Sequence, residues 1–119
     1  MATATLTRDN FEEVTSQGTV FIDFWAEWCP PCQRFAPIFD LVAEAIADNM
    51  FAKVDFEAQR ELAARFDIRS IPTLLVIRDR IRVFARPGAL PGDVLQELVE
   101  AVRNLDMDVI RDGLAQQAH

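Results

Sequence analysis

Two cysteines stand three apart in "WCPPC", residues 28–32, with only Pro30 and Pro31 between them, and the 119-residue chain has no other cysteine. Such a pair can staple a loop, share a metal ion or do chemistry through its own sulfurs. A structural staple is unneeded, because a chain of this length that is 50% hydrophobic can bury a real core unaided. Small folds that depend on bridges carry several cysteine pairs. Zinc takes three or four ligands, and the single histidine is the terminal His119, so no metal site is expected. Redox chemistry is the reading that remains.

The local sequence says how such a pair would work. Cys29 follows an apolar strand directly and opens a long amphipathic pattern, which places it at a helix N-cap with Pro30 and Pro31 in the first two helical positions. Proline is tolerated there because those amides lack helical partners anyway. An N-cap side chain accepts from the second or third helical N–H; Pro31 has none, so the Cys32 N–H is expected to aim at the Cys29 sulfur. That donor and the positive helix end would favour a thiolate on Cys29. Cys32, one turn further in, is expected to be more buried and more ordinary. The i, i+3 spacing allows a disulfide that forms and breaks with little backbone movement.

The elements around the pair can be read from periodicity. "TVFIDFWA" (19–26), "MFAKVDF" (50–56), "TLLVI" (73–77) and "IRVFA" (81–85) have strand composition, with a weak strand near residues 4–6. Phe35, Ile38, Phe39, Val42, Ala45 and Ile46 fall on one helical face, as do Val94, Leu95, Leu98, Val99 and Val102. A shorter helix is expected around 58–66, and another in "RDNFEEVTSQG" that stops at Gly18. The strands flanking the long helix should be parallel, and the last two should form a hairpin. An α/β fold follows: a mixed five-stranded central sheet flanked by four helices. Residues 1–106 form its domain, and 107–119 are a C-terminal extension, helical or frayed.

Charge narrows the partners. Twelve basic against nineteen acidic residues leave a net charge of −7, which offers no field for nucleic acid or anionic lipid. The exception is "RDRIRVFAR", whose arginines are read as a solvated hairpin that discourages edge pairing, a docking patch for an acidic partner being the other reading. Asp23, Glu27, Asp55 and Asp79 interrupt the apolar runs, so no membrane span is expected. "MATATLTRDN" has neither a basic nor an apolar leader region, and the chain is read as soluble and cytoplasmic. Asp23 lies inside an otherwise apolar strand; unless it escapes to solvent at a sheet edge, burial would raise its pKa and let it exchange protons with a nearby thiol. Trp25 is expected in or beside the core, and Trp28 nearer solvent.

"FIDFWAEWCPPC", "RSIPTLLVI" and "PGAL" together resemble the successive signatures of the thioredoxin family, over about Leu6 to Asn104. The resemblance implies that Cys29 is the attacking thiol and Cys32 the resolving thiol of a redox-active disulfide. It implies that Asp23 is the buried carboxylate and Lys53 its basic neighbour, although Lys53 also reads as a polar strand end that snorkels outward. By the same resemblance Pro72 is a cis-proline facing the disulfide, Trp28, Ile71 and Gly88 belong to the apolar rim that contacts substrate, and Pro37 kinks the active-site helix. A cis bond at Pro72 would expose the Ile71 backbone for pairing with a bound peptide. Pro30 and Pro31 complete the surface presented to substrate.

The implied activity is reduction of protein disulfides by a monomer that needs no cofactor of its own, recharged by an NADPH-dependent thioredoxin reductase. The sequence departs from the family pattern at Pro30, where glycine is commonest, at Gln33, where lysine is frequent, and at Ser70, which replaces a common glycine. It departs also at Asp79 and Arg80, where Asn-Gly is usual. A less reducing oxidase or isomerase is a rival within the same chemistry. A binding module or holdase on the same fold, with secondary thiols, is the rival from another class.

Overall fold

The computed structural model describes residues 3–16, 18–46 and 48–117; His119 lies outside them. In chain order the elements are β1 (Thr3–Thr5), α1 (Phe11–Val14), β2 (Thr19–Trp25), α2 (Pro30–Ala45), β3 (Met50–Asp55), α3 (Arg60–Arg65), β4 (Thr73–Arg78), β5 (Ile81–Pro87), α4 (Gly92–Arg103) and α5 (Met107–Gln117). The sheet order is β1-β3-β2-β4-β5. β3 runs parallel to both β1 and β2, while β4 is antiparallel to β2 and to β5.

Strand alternation divides the core between the two faces of the sheet. On one face Ile22 and Phe24 of β2 join Leu6, Phe11, Val54, Leu62 and Leu75. On the other, Phe21 meets Phe35, Phe39 and Val42 of α2, Phe51 of β3, and Leu95 and Val99 of α4. Phe21 stacks on Phe51 with ring centroids 5.0 Å apart, and Phe39 meets Phe51 edge-on at 5.5 Å. The alternation decides where Asp23 points: two residues from Phe21, it shares the face that α2 covers. Lys53 follows Phe51 by the same count.

Among the described residues there are five helices rather than four. The fifth is α5, whose Met107 is buried. Helix α1 is shorter than its sequence pattern suggested and ends at Val14. The Thr15 hydroxyl donates to the Phe11 carbonyl and the Ser16 hydroxyl to that of Glu13, each adding to a backbone N–H bond on the same carbonyl at the helix end.

The arginine-rich hairpin is less free than its composition implied. The half-buried Arg78 guanidinium donates to the carbonyls of Val102 at 2.7 Å and Leu105 at 3.2 Å, placing a cation at the C-terminal end of α4. Arg80 donates to the Ser16 carbonyl and Arg82 to that of Phe66. Three of the four arginines are thus engaged with backbone. Among the described residues, no helix is long and apolar enough to cross a membrane.

Candidate active site

Cys29 occupies the N-cap of α2 with extended backbone, φ −96° and ψ 108°, and Pro30 and Pro31 fill the first two helical positions. The Cys32 N–H donates to the Cys29 sulfur at 3.2 Å, as the proline spacing predicts. The two cysteines are joined as a disulfide, with Cα atoms 5.2 Å apart. Their surroundings correct one expectation. Cys29 is 3% exposed and Cys32 2%, so exposure does not separate the two sulfurs in this oxidised state. Ala26, Trp25 and Ile71 pack against both. What distinguishes Cys29 is the amide aimed at it and its place at the helix start, both of which favour a thiolate.

The segment facing the disulfide comes just before β4. The Ile71–Pro72 peptide bond is cis, and the Cys29 sulfur lies 3.8 Å from the Ile71 carbonyl oxygen. Outside the strands, Ile71 has no backbone hydrogen bond among the described residues. Gly88 closes the same corner: its N–H donates to the Pro72 carbonyl at 2.8 Å, and its φ of +97° is open to glycine and strained for other residues. At Ser70 the carbonyl accepts from the Thr73 hydroxyl at 2.6 Å, a bond that needs no side chain at position 70.

Trp28 is 63% exposed, and its indole N–H donates to the Glu57 carboxylate at 2.8 Å. That bond, followed by the one from Arg60, holds Glu57 below the usual carboxylate range. Gln33 turns its amide back to the Glu27 carbonyl at 2.8 Å, tying the loop before the cysteines to the first turn of α2. Pro37, inside α2, has no N–H for the carbonyl four residues earlier, which is that of Gln33.

Behind the disulfide a cavity of about 260 Å³ is lined by Asp23, Trp25, Ala26, Glu27, Cys32, Gln33, Ala36 and Lys53. It is large enough to admit water to both Cys32 and the Asp23 carboxyl. Asp23 is 1% exposed, in a central strand rather than at a sheet edge. Burial pushes its pKa up from 3.8 to about 7, against the pull of Lys53 and with a further push from Asp40. Lys53 stands directly across from Asp23 in the β2–β3 register, but its ammonium meets Asp40 at 2.9 Å. Asp40 was missed by the reading of the sequence. Its signal was the row Cys32, Ala36, Asp40 at i, i+4 and i+8, which puts all three on one face of α2.

The structure thus brings Cys29, Cys32, Trp28, Ile71, Pro72 and Gly88 to one corner, with Asp23 and Lys53 on the cavity beneath it. Among the described residues no cluster of histidine, cysteine and carboxylate side chains could hold a metal ion. A paired dithiol with an activating amide, a neighbouring backbone open for pairing, and a buried carboxyl that titrates near neutrality can exchange disulfides.

The chain is similar to known proteins. The family profile of thioredoxin matches residues 2–101. A Streptomyces coelicolor protein assigned as thioredoxin 2 is 50% identical over 117 residues, covering 98% of this chain and 87% of its own. Thioredoxin of Bacillus subtilis is 39% identical over 100 residues, 83% of this chain and 96% of its own. In three dimensions a mutant thioredoxin from Halobacterium salinarum superposes with a TM-score of 0.81 at 31% identity, covering 87% of this chain and 93% of that one. With a profile match that spans both cysteines, both proline loops and the cavity behind them, the chain belongs to the thioredoxin family and is a thiol-disulfide oxidoreductase of the protein-disulfide reductase type.

Proposed function

We propose that Cys29 is the nucleophile and Cys32 the resolving thiol, with Asp23 as the proton acceptor for Cys32. In the reduced protein the Cys29 thiolate attacks one sulfur of a substrate disulfide. A bond forms between them, the substrate S–S bond breaks, and the other substrate sulfur leaves as a thiolate that takes up a proton. The Cys32 thiol then gives its proton to the Asp23 carboxylate and attacks the Cys29 sulfur. The second substrate thiolate departs, and Cys29 and Cys32 finish as the disulfide. Two electrons pass from the cysteine pair to the substrate, and no cofactor on this chain is needed.

The observation that carries this assignment is the 3.2 Å hydrogen bond from the Cys32 N–H to the Cys29 sulfur, at the positive end of a sixteen-residue helix. Substrate backbone pairs with Ile71 beside that sulfur, while Trp28, Pro30, Pro31, Pro72 and Gly88 form the rim around it. Lys53 biases Asp23 from the far side of the cavity. Thioredoxin-family proteins work generally with thioredoxin reductase and disulfide-bearing proteins. For this chain the proposed reductant is an NADPH-dependent thioredoxin reductase, and the proposed setting is the cytoplasm, with the protein acting as a monomer.

The test is NADPH consumption coupled through thioredoxin reductase to insulin-disulfide reduction. Wild type should sustain turnover, and the Cys29→Ser, Cys32→Ser double variant should give only the background rate. A double variant that still supports reduction, or still performs the protein's cellular role, would place the function in binding rather than in the thiols.

A further inference from the structure

Lys53 is the cation expected beside a buried carboxylate, yet its direct partner is a different acid. The β2–β3 register sets Lys53 opposite Asp23 on the face that α2 covers, but the ammonium pairs with Asp40 at 2.9 Å. Among the described residues no ion pair joins Lys53 to Asp23, and the Asp23 Oδ1 atom, wholly buried, has no hydrogen-bond partner. Exposure runs in one direction across the three side chains: 1% for Asp23 as a residue, then 23% and 49% for the Lys53 and Asp40 side chains. The ammonium is therefore paired with the more exposed of the two acids, through an Asp40 oxygen that is itself buried.

We propose that Asp40 is a positioning residue for the proton-transfer step: it holds the Lys53 ammonium away from Asp23 and so leaves the Asp23 carboxyl without a direct counter-charge, able to take and keep a proton. The proposal rests on Asp23 serving as the proton acceptor for Cys32. A lysine ammonium is a compact point charge on a flexible stem, so drawing it to one carboxylate weakens its hold on the other. Asp40 also adds a negative charge of its own near Asp23. Both effects disfavour the ionised form of Asp23.

The groups that face Asp23 limit what else could set its charge. From β3 there is Lys53; from α2, Cys32 and Asp40; and from the loop after β2, Glu27 at the cavity wall. The remaining cavity residues, apart from the neutral Gln33, are Trp25, Ala26 and Ala36, and the cross-strand neighbour on β4 is Leu74. Lys53 is the one cation among them. Where it sits therefore decides how much positive potential reaches the carboxyl.

Removing Asp40's charge frees Lys53 to close on Asp23. An opposite charge brought to contact lowers a carboxyl midpoint by roughly 1–3 pH units. The titration midpoint of Asp23, followed by NMR through its side-chain carboxyl carbon in the reduced protein, should fall by about one unit or more in Asp40→Asn and hold in Asp40→Glu. On a Lys53→Met background the Asp40→Asn shift should shrink by at least half. In parallel, release of substrate from a preformed Cys29 mixed disulfide, measured from pH 5 to 9, should follow the same midpoint in each variant. An unchanged NMR midpoint in Asp40→Asn overturns the proposal, and an equal shift without Lys53 shows that Asp40 does not act through it. If Asp23→Asn leaves the pH profile of release unaltered, the proton-acceptor reading fails by itself, while the NMR midpoint still decides whether Asp40 holds the charge of Asp23.

Discussion

The Cys32 amide donates to the Cys29 sulfur at 3.2 Å, and the two residues between them are prolines with no N–H to compete for it. The activating donor therefore does not depend on what stands at position 30. Pro30→Gly should lower stability by about 1 kcal/mol or somewhat more, through the freedom it gives the unfolded chain. Insulin-disulfide turnover should stay within about tenfold of wild type, roughly 1.4 kcal/mol of barrier. Thermal unfolding and turnover measured on the same variant check both halves, and a larger rate loss would mean that Pro30 acts on the chemistry itself.

Asp23→Asn should make the protein more stable and slower, with a definite pH signature. The folded protein holds the Asp23 proton up to about pH 7, whereas the ordinary value for an aspartate carboxyl is 3.8. Between those values the unfolded chain has lost a proton that the folded chain keeps, so wild-type stability falls as pH rises through this window and levels off above it. The gain from asparagine should be small near pH 4 and reach on the order of 4 kcal/mol at pH 7, from roughly three pH units at ~1.4 kcal/mol each. Urea unfolding of both proteins at pH 4, 5.5 and 7 tests it; a stability difference independent of pH would contradict the buried titration.

Truncation after Leu105 should spare disulfide reduction and weaken the fold. The Arg78 bonds to Val102 and Leu105 survive the cut, and no residue of α5 lines the cavity. What is lost is the burial of Met107, about 2 kcal/mol, and the 3.6 Å pairing of Arg111 with Asp79. Insulin reduction at 25 °C together with a lowered Tm is the expected result. A large fall in turnover on the folded truncation would tie the last helix to the site.

The hairpin turn carries strain that one substitution relieves. Asp79 and Arg80 both take left-handed backbone, φ 53° and 68°, in a turn where glycine at the second position is preferred. Arg80→Gly should raise stability by about 0.5–1 kcal/mol, since the lost bond to the Ser16 carbonyl is exposed and long at 3.3 Å. Denaturant midpoints of the two proteins settle the sign, and a destabilised variant would show that the Arg80 contact outweighs the strain.

The parts of the site that neighbouring residues determine could be read from the sequence, and the parts set by distant neighbours could not. The N-cap geometry of Cys29 follows from two prolines and a helix period, and the hairpin follows from two strand-like runs separated by three residues. The burial of Asp23 follows from its apolar strand. Asp40 is different: nothing near it in sequence says that Lys53, on another strand, will be its partner. Arg78 looked like one more solvated charge because the carbonyls it caps lie some 24 residues away in the chain. The equal burial of the two cysteines depends on Ile71 and Trp25 folding over both, which the helix alone does not reveal. The apolar residues of α5 are too sparse to mark a helix by themselves, and Met107 finds its place only against the finished fold.

Since burial does not separate the two sulfurs, the assignment of their roles rests on the Cys32 amide and the start of α2, and it can be tested directly. Cys32→Ser and Cys29→Ser are each reduced, mixed with a disulfide-bearing protein and run without reductant, and the linked residue is found by peptide mapping. Cys32→Ser should accumulate a mixed disulfide through Cys29, while Cys29→Ser should trap little or nothing. Accumulation through Cys32 at an equal or greater rate would contradict the account.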